Sequence, residues 1–230
     1  MRLTILWDID HTLIDNAGVS KEIYAATFTA LAGSAPVGPA RTEGRTDRLI
    51  MRELLLRHGV PEPEWELVQA ALTQAGRERF EELRARGTAL PGVHDALKAV
   101  AAQGDWVSSV LTGNIAANAR VKLAAFGLDS LVDLSAGAFG ADGVQRSELV
   151  AVARERVRLA YGTDRDGPVV LIGDTPQDVE AALATGSHVV AVATGIHDQG
   201  ELADVGAEFV LPDLTDTVGL VRLLERLAAR

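Results

Sequence analysis

Trp7-Asp8-Ile9-Asp10-His11-Thr12-Leu13 sets two carboxylates two residues apart at the end of the apolar run Leu3–Trp7. In an extended chain alternate side chains share a face, so Asp8 and Asp10 can converge on one point. Carboxylates that close repel unless a cation or a shared proton stands between them. A solvated acidic turn is the plain alternative, and a lone Asp-x-Asp supports nothing more. The strand-like run before this pair and Thr12 after it favour chemistry. A second acidic group follows a second apolar run, in Val169-Val170-Leu171-Ile172-Gly173-Asp174-Thr175-Pro176-Gln177-Asp178. Helix capping accounts for Asp178, with Thr175 as the cap, Pro176 as the first helical residue and Asp178 as the acidic partner at the third position. Capping does not account for Asp174. Carboxylates gathered at one edge, with no Cys or His ligands near them in sequence, form a hard oxygen site. Mg2+, which keeps waters and shares its shell with a phosphate, is the natural occupant.

Leu111-Thr112-Gly113-Asn114 follows another apolar run and opens a helical pattern. A hydroxyl beside the unpaired N–H groups of a helix N-terminus makes a seat for phosphate. The same residues also read as a simple connection, with Asn114 as an N-cap and Gly113 in a tight turn. A transferring phosphoryl group further needs a cation. Arg146, at the start of a helix, is the expected one; Lys122, deep in the preceding helix, is expected on a solvated face.

The elements that must hold these groups alternate. Short runs at Leu3–Trp7, Trp106–Leu111, Val169–Ile172, Val189–Val192 and Phe209–Leu211 read as buried strands. Helical patterns at Val93–Ala102, Ile115–Phe126, Ser147–Tyr161 and Pro176–Thr185 lie between them, and Gly127, Gly162 and Gly186 follow three of these where a helix ends. Such alternation predicts an α/β fold: a Rossmann-like parallel sheet with helices on both faces, its ligands outside the carboxyl ends of the strands. From Ser20 to Arg86 the pattern is helical only, with candidate helices at Ser20–Leu31, Thr46–Arg57 and Glu64–Arg86. This predicts a small all-helical unit over 17–87 inserted after the first strand of a core formed by 1–16 and 88–230, with hinges at Asp15–Val19 and Arg86–Gly92.

Composition narrows the field further. Against 22 basic residues stand 32 acidic ones, a net charge of −10 that argues against nucleic-acid or anionic-membrane partners. The absence of cysteine removes thiol catalysis and zinc fingers and fits a cytoplasmic setting. Met1–Trp7 is too short for the apolar part of a signal peptide, and no apolar run reaches membrane-spanning length. There is no Gly-x-x-x-x-Gly-Lys-Ser/Thr and no Gly-x-Ser-x-Gly, and Gly137, Gly140 and Gly143 lack dinucleotide-binding spacing. Histidines at 11, 58, 94, 188 and 197 show no metal-ligand spacing.

In order along the chain, Asp8-Ile9-Asp10-His11-Thr12-Leu13, Leu111-Thr112-Gly113-Asn114, Arg146 and Gly173-Asp174-Thr175-Pro176-Gln177-Asp178 resemble the haloacid dehalogenase-like hydrolase superfamily, and in local wording its phosphoglycolate phosphatase-like branch. The resemblance implies that Asp8 attacks phosphorus, that Asp10 serves as acid and then base, and that Thr112 and Arg146 hold the phosphoryl oxygens. It also implies Mg2+ on Asp8, Asp174 and the backbone carbonyl of Asp10, with Asp178 ligating directly or through water. Contacts to substrate are expected from His11, Thr12, Gly113, Asn114 and, in the helical insert acting as a cap, Arg45. In Gly44-Arg45-Thr46-Asp47, Arg45 either meets a substrate carboxylate or is a scattered arginine beside a helix capped by Thr46. Two positions depart from the family pattern: His11 stands where Gly is common, and Arg146 where Lys is commoner. Because a departing alkoxide needs a proton and a halide does not, Asp10 favours phosphate esters over haloacids. The expected substrate is a small phosphorylated metabolite, with the protein a monomer or homodimer. A phosphomutase on the same scaffold and a non-catalytic phosphoryl-binding signalling module are the alternatives.

Overall fold

The computed structural model describes residues 2–162 and 167–229. In chain order the elements are β1 (Leu3–Trp7), β2 (Ile14–Asp15), α1 (Val19–Ala32), α2 (Asp47–Arg57), α3 (Trp65–Glu78), α4 (Phe80–Arg86), β3 (Thr88–Ala89), α5 (Val93–Ala101) and β4 (Trp106–Val110). There follow α6 (Ala116–Ala125), α7 (Arg146–Tyr161), β5 (Val169–Gly173), α8 (Pro176–Ala184), β6 (His188–Val192), α9 (Gln199–Asp204), β7 (Phe209–Leu211) and α10 (Thr217–Ala228). The main sheet has the order β4-β1-β5-β6-β7, and every pairing in it is parallel. β1 and β5 are buried along their whole length, because helices cover both faces and leave no polar side for alternation. On one face Val93, Leu97 and Val100 of α5 and Leu220, Leu224 and Leu227 of α10 pack on Ile5 and Trp7. On the other, Leu149 and Val150 of α7 and Val179 and Ala182 of α8 pack on Leu6 and Leu171.

Register places the chemistry. Trp7 lies opposite Val110 of β4 and Ile172 of β5. The next residues of the three strands therefore emerge side by side: Asp8, the Leu111-Thr112 step, and Gly173-Asp174. β1 is also where the strand order reverses, with β4 on one side of it and β5 on the other, and there the splayed loops leave a crevice.

Helices α1–α4 lie between β2 and β3, two short strands that pair antiparallel and tie the chain together where it leaves and re-enters the core. Two residues are too few for a strand period, so neither was legible as a strand. Ile23, Phe28, Ile50, Leu54, Val68, Leu72 and Leu83 form the insert's own apolar cluster, which is completed by Ile115 ahead of α6. The single helix expected over Glu64–Arg86 is two, broken at Arg79. Gly76 precedes the break. A Cβ there would stand 2.2 Å from Asn118 Oδ1, so this close approach to α6 requires the residue with the weakest hold on a helix apart from proline.

Candidate active site

Asp8, Asp174 and Asp178 are buried and bring one oxygen each within 4.8 Å of one another. Asp174 accepts a hydrogen bond from the Thr12 hydroxyl at 3.0 Å. Asp178 Oδ2 accepts from the Thr175 N–H and hydroxyl at the start of α8, so this carboxylate both caps its helix and joins the cluster. Glycines let the carboxylates lie against backbone. A Cβ on Gly173 would be 2.2 Å from the Asp178 carboxyl carbon, and one on Gly195 would be 1.9 Å from Asp174 Oδ2. Arg146, buried at the first position of α7, sets Nη2 2.7 Å from Asp8 Oδ1 and Nε 2.7 Å from Asp178 Oδ1. The Nε contact lacks hydrogen-bond alignment and is an ion contact only.

One guanidinium does not balance three carboxylates. Burial pushes Asp8 up to about 6, and the charges of Asp178 and Asp10 add to that while Arg146 opposes it. Burial likewise pushes Asp174 well above the usual carboxylate range, reinforced by Asp8 and Asp178. A hard cation answers this excess, so the donor set fits Mg2+: oxygen only, converging, and short of positive charge. The Asp10 carboxylate is not in the cluster. It accepts from Asn16 Nδ2 at 2.7 Å, Ser20 Oγ at 3.3 Å and Asn114 Nδ2 at 2.8 Å. Lys122 Nζ reaches its two oxygens at 2.8 and 2.6 Å. Burial alone would raise Asp10, but the Lys122 charge and these hydrogen bonds bring it down to about 2.

Lys122 thus corrects the sequence reading. It is buried rather than on a solvated face, because α6 is covered by the sheet on one side and the insert on the other. Asn114 also differs from its reading as an N-cap: the cap position of α6 is Ile115, and the Asn114 side chain serves Asp10, Thr112 and Lys122 instead. The N–H of that cap residue does not stand open for phosphate. Ile115 N–H donates to Asp47 Oδ2 at 2.7 Å, a carboxylate arriving from the insert. Thr12, expected at the substrate, is fully buried and does not line the cavity.

Asp47 is the centre of the junction between insert and core. Its N–H donates to the Gly113 carbonyl at 2.7 Å, and Tyr24 OH donates to its Oδ1 at 2.5 Å. Burial raises its carboxyl above the usual range, against the pull of these hydrogen bonds. The Thr46 hydroxyl donates to the Val144 carbonyl at 3.0 Å and accepts from Leu49 N–H, capping α2. Gly113 admits this contact because a Cβ there would lie 2.0 Å from the Arg45 carbonyl. Arg45 lines the cavity while its Nη1 bonds Glu53 of the insert.

The cavity holds about 240 Å3 between these parts. Asp8, Asp10, Thr112, Gly113, Asn114, Arg146 and Asp174 line it. His11, Lys21, Tyr24, Glu43, Arg45 and Ile196 line it as well. His11 has φ of 60°, a left-handed conformation that a Cβ opposes. His11→Gly is accordingly expected to stabilise the fold by roughly 1 kcal/mol in urea denaturation. Sequence reading missed Asp47, Tyr24, Asn16 and Ser20 as site residues, and it weighed Lys122 only as a phosphate-neutralising cation second to Arg146. The one signal for Lys122 was the four-residue spacing Asn114, Asn118, Lys122 along an otherwise alanine-rich helix.

The family profile of the haloacid dehalogenase-like hydrolases matches residues 5–183. No curated protein matches the chain. Among solved structures, a hydrolase from Pseudomonas syringae aligns with a TM-score of 0.69 at 22% identity, over 99% of this chain and 100% of that one. CbbY from Rhodobacter sphaeroides, solved in complex with phosphate, aligns at 0.68 and 20% over 94% and 96%. A predicted phosphoglycolate phosphatase from Haemophilus somnus 129PT aligns at 0.66 and 17% over 96% and 98%. At these identities the likeness is one of fold. Among the described residues no helix is long and apolar enough to cross a membrane.

Proposed function

We propose that this chain, which belongs to the haloacid dehalogenase-like hydrolase family, is a Mg2+-dependent phosphatase of small-molecule monoesters that works through an aspartyl phosphate. One observation carries the reading: Asp8 and Asp10 face the same cavity from two unlike environments, a cation-hungry carboxylate cluster and a lysine–asparagine cradle. Two carboxylates set apart in this way take different roles in one reaction.

In the first step an Asp8 oxygen attacks phosphorus, the new P–O bond forms, and the bond to the leaving oxygen breaks. Thr112 and Arg146 hold the phosphoryl oxygens, and Asp10 gives the leaving alkoxide its proton. Asp10 stands ionised in the free protein, and the proton it gives is taken up from solvent as the phosphate dianion enters beside it and raises its proton affinity. Asp10 then takes a proton from water as the water attacks phosphorus and releases Asp8. When bound to Asp8, Asp174, Asp178 and the Asp10 carbonyl, Mg2+ supplies the positive charge that screens Asp8 from the incoming phosphate. Residues 17–87 act as a cap over the cavity, and the Asp47 contacts close it. Gly113 and Asn114 shape the phosphate end of the cavity, and His11 the leaving-group end. The cavity volume suits a compact phosphorylated metabolite. Arg45 at its wall favours one with a carboxylate, as in phosphoglycolate-like acids.

Phosphate release from a panel of small esters that includes 2-phosphoglycolate, with and without Mg2+, tests this reading. Mg2+-dependent release on any of them is expected. Isomer formation without release would make the protein a mutase, and no reaction with Mg2+ bound would sink the enzyme assignment for these substrates.

The raised Asp8 and Asp174 give a pH dependence with a definite sign. The folded, metal-free protein binds more protons than the unfolded chain between the usual carboxylate range and about pH 6. Its stability therefore falls as pH rises through that window. Mg2+ competes with those protons, so the upward shift of Tm it causes is expected to be larger at pH 8 than at pH 5, measured against chelator. Equal shifts at both pH values would mean that the cation sits elsewhere.

A further inference from the structure

Lys122 is a buried ammonium that the phosphatase reading leaves without a role. Its side chain is 3% exposed, against 25% for Asp10. A lysine has three N–H donors, and here three acceptors meet them: Asp10 Oδ1 at 2.8 Å, Asp10 Oδ2 at 2.6 Å and Asn114 Oδ1 at 2.6 Å. No donor is left for a phosphate oxygen, and Lys122 does not line the cavity. Asn114 extends the clamp, since its Nδ2 donates to Asp10 Oδ2 and to the Thr112 hydroxyl. Asn16 holds the other carboxylate oxygen at 2.7 Å, and Ser20, at 3.3 Å, is the weakest contact.

We propose that Lys122 is the positioning residue for Asp10: from outside the cavity it grips both carboxylate oxygens and aims the group at the leaving-group oxygen, without touching substrate. The inference rests on the phosphatase reading and assigns this residue within it. Lys122 keeps Asp10 turned away from the Asp8, Asp174 and Asp178 cluster. The mobile partner is then Ser20, whose long contact a leaving-group oxygen displaces. A buried charge pair of this kind specifies geometry more surely than it adds stability.

The test compares wild type, Lys122→Met, Asp10→Asn and the double variant on phenyl phosphate and 2,4-dinitrophenyl phosphate, with inorganic phosphate as competing inhibitor. Phenolate needs a proton as it departs, whereas dinitrophenolate leaves without one. Lys122→Met is expected to lose about a hundredfold in kcat/KM, which reports only the step in which the leaving group departs, on phenyl phosphate and less than about tenfold on the dinitrophenyl ester. Phosphate inhibition should not change. In the Asp10→Asn background the lysine substitution should add little, because its effect passes through Asp10. The double variant leaves neither charge unpaired, so it remains informative if Lys122→Met alone folds poorly. Equal losses on both esters, weakened phosphate inhibition, or an undiminished loss in the Asp10→Asn background would each overturn the proposal. If wild type cleaves neither ester, it is the phosphatase reading that has failed. The crystal structure of Lys122→Met then decides the placement: Asp10 displaced with the other three aspartates unmoved supports it, and Asp10 unmoved overturns it.

Discussion

Asp8→Asn is expected to lower ester hydrolysis by about 10^4-fold or more, the scale seen when a nucleophile is removed from an otherwise intact site. The amide keeps the size of the carboxylate, so the cavity and the Arg146 contact region keep their shape. The same change removes one of three buried like charges that burial and repulsion already hold toward protonation. In chelator at pH 8 the variant should therefore melt above wild type, and the difference should shrink toward pH 5, where protons neutralise the cluster anyway. Activity lost together with stability gained is the mark of a site kept electrostatically frustrated for its reaction. Activity lost with stability equally lost would point to a folding role for Asp8 instead.

Arg146→Ala is expected to do the reverse to stability. It removes the buried cation that lies 2.7 Å from Asp8 and 2.7 Å from Asp178, leaving three carboxylates facing one another. Breaking such an arrangement costs about 3–5 kcal/mol when the charges stay ionised. Urea denaturation in chelator should show that loss at pH 8 and a smaller one at pH 5. Turnover should fall by about 10^2- to 10^3-fold, the usual cost of losing one donor to the developing charge. Arg146→Lys should fall between, since one ammonium replaces two nitrogens that now reach two different carboxylates. A stability loss independent of pH would show that packing, not charge, sets the role of Arg146.

The parts of the site that are legible in sequence share one property: each is written locally. Asp8, Thr112 and Asp174 follow apolar runs directly, and strand register alone brings those ends together. The parallel sheet follows from the alternation of short buried runs with helical stretches, and Thr175-Pro176-Gln177-Asp178 announces its own helix start. What was not legible depends on tertiary layering. Lys122 reads as an ordinary helix lysine until the insert closes over α6 and removes the solvent from that face. Asp47 reads as a first-turn acid of its own helix, as indeed it is, yet its carboxylate caps a different helix nearly seventy residues on. Thr12 sits in the acidic motif, but the turn folds it inward to Asp174, leaving His11 in the left-handed conformation at the cavity. Motif spacing names such residues without saying which way a tight turn points them.

A covalent phosphoryl group on Asp8 is what this mechanism requires above all. Wild-type protein and Asp10→Asn, which slows the water-driven second step, would be mixed with 2,4-dinitrophenyl phosphate, whose leaving group departs without a proton, together with Mg2+. Acid quenching within the first turnover and peptide mass spectrometry would then locate any phosphoryl group. An acid-stable, hydroxylamine-labile phosphoryl group is expected on the peptide carrying Asp8, more abundant in Asp10→Asn and absent from Asp8→Asn. Turnover with no phosphorylated peptide in any variant, and undiminished in Asp8→Asn, would contradict it.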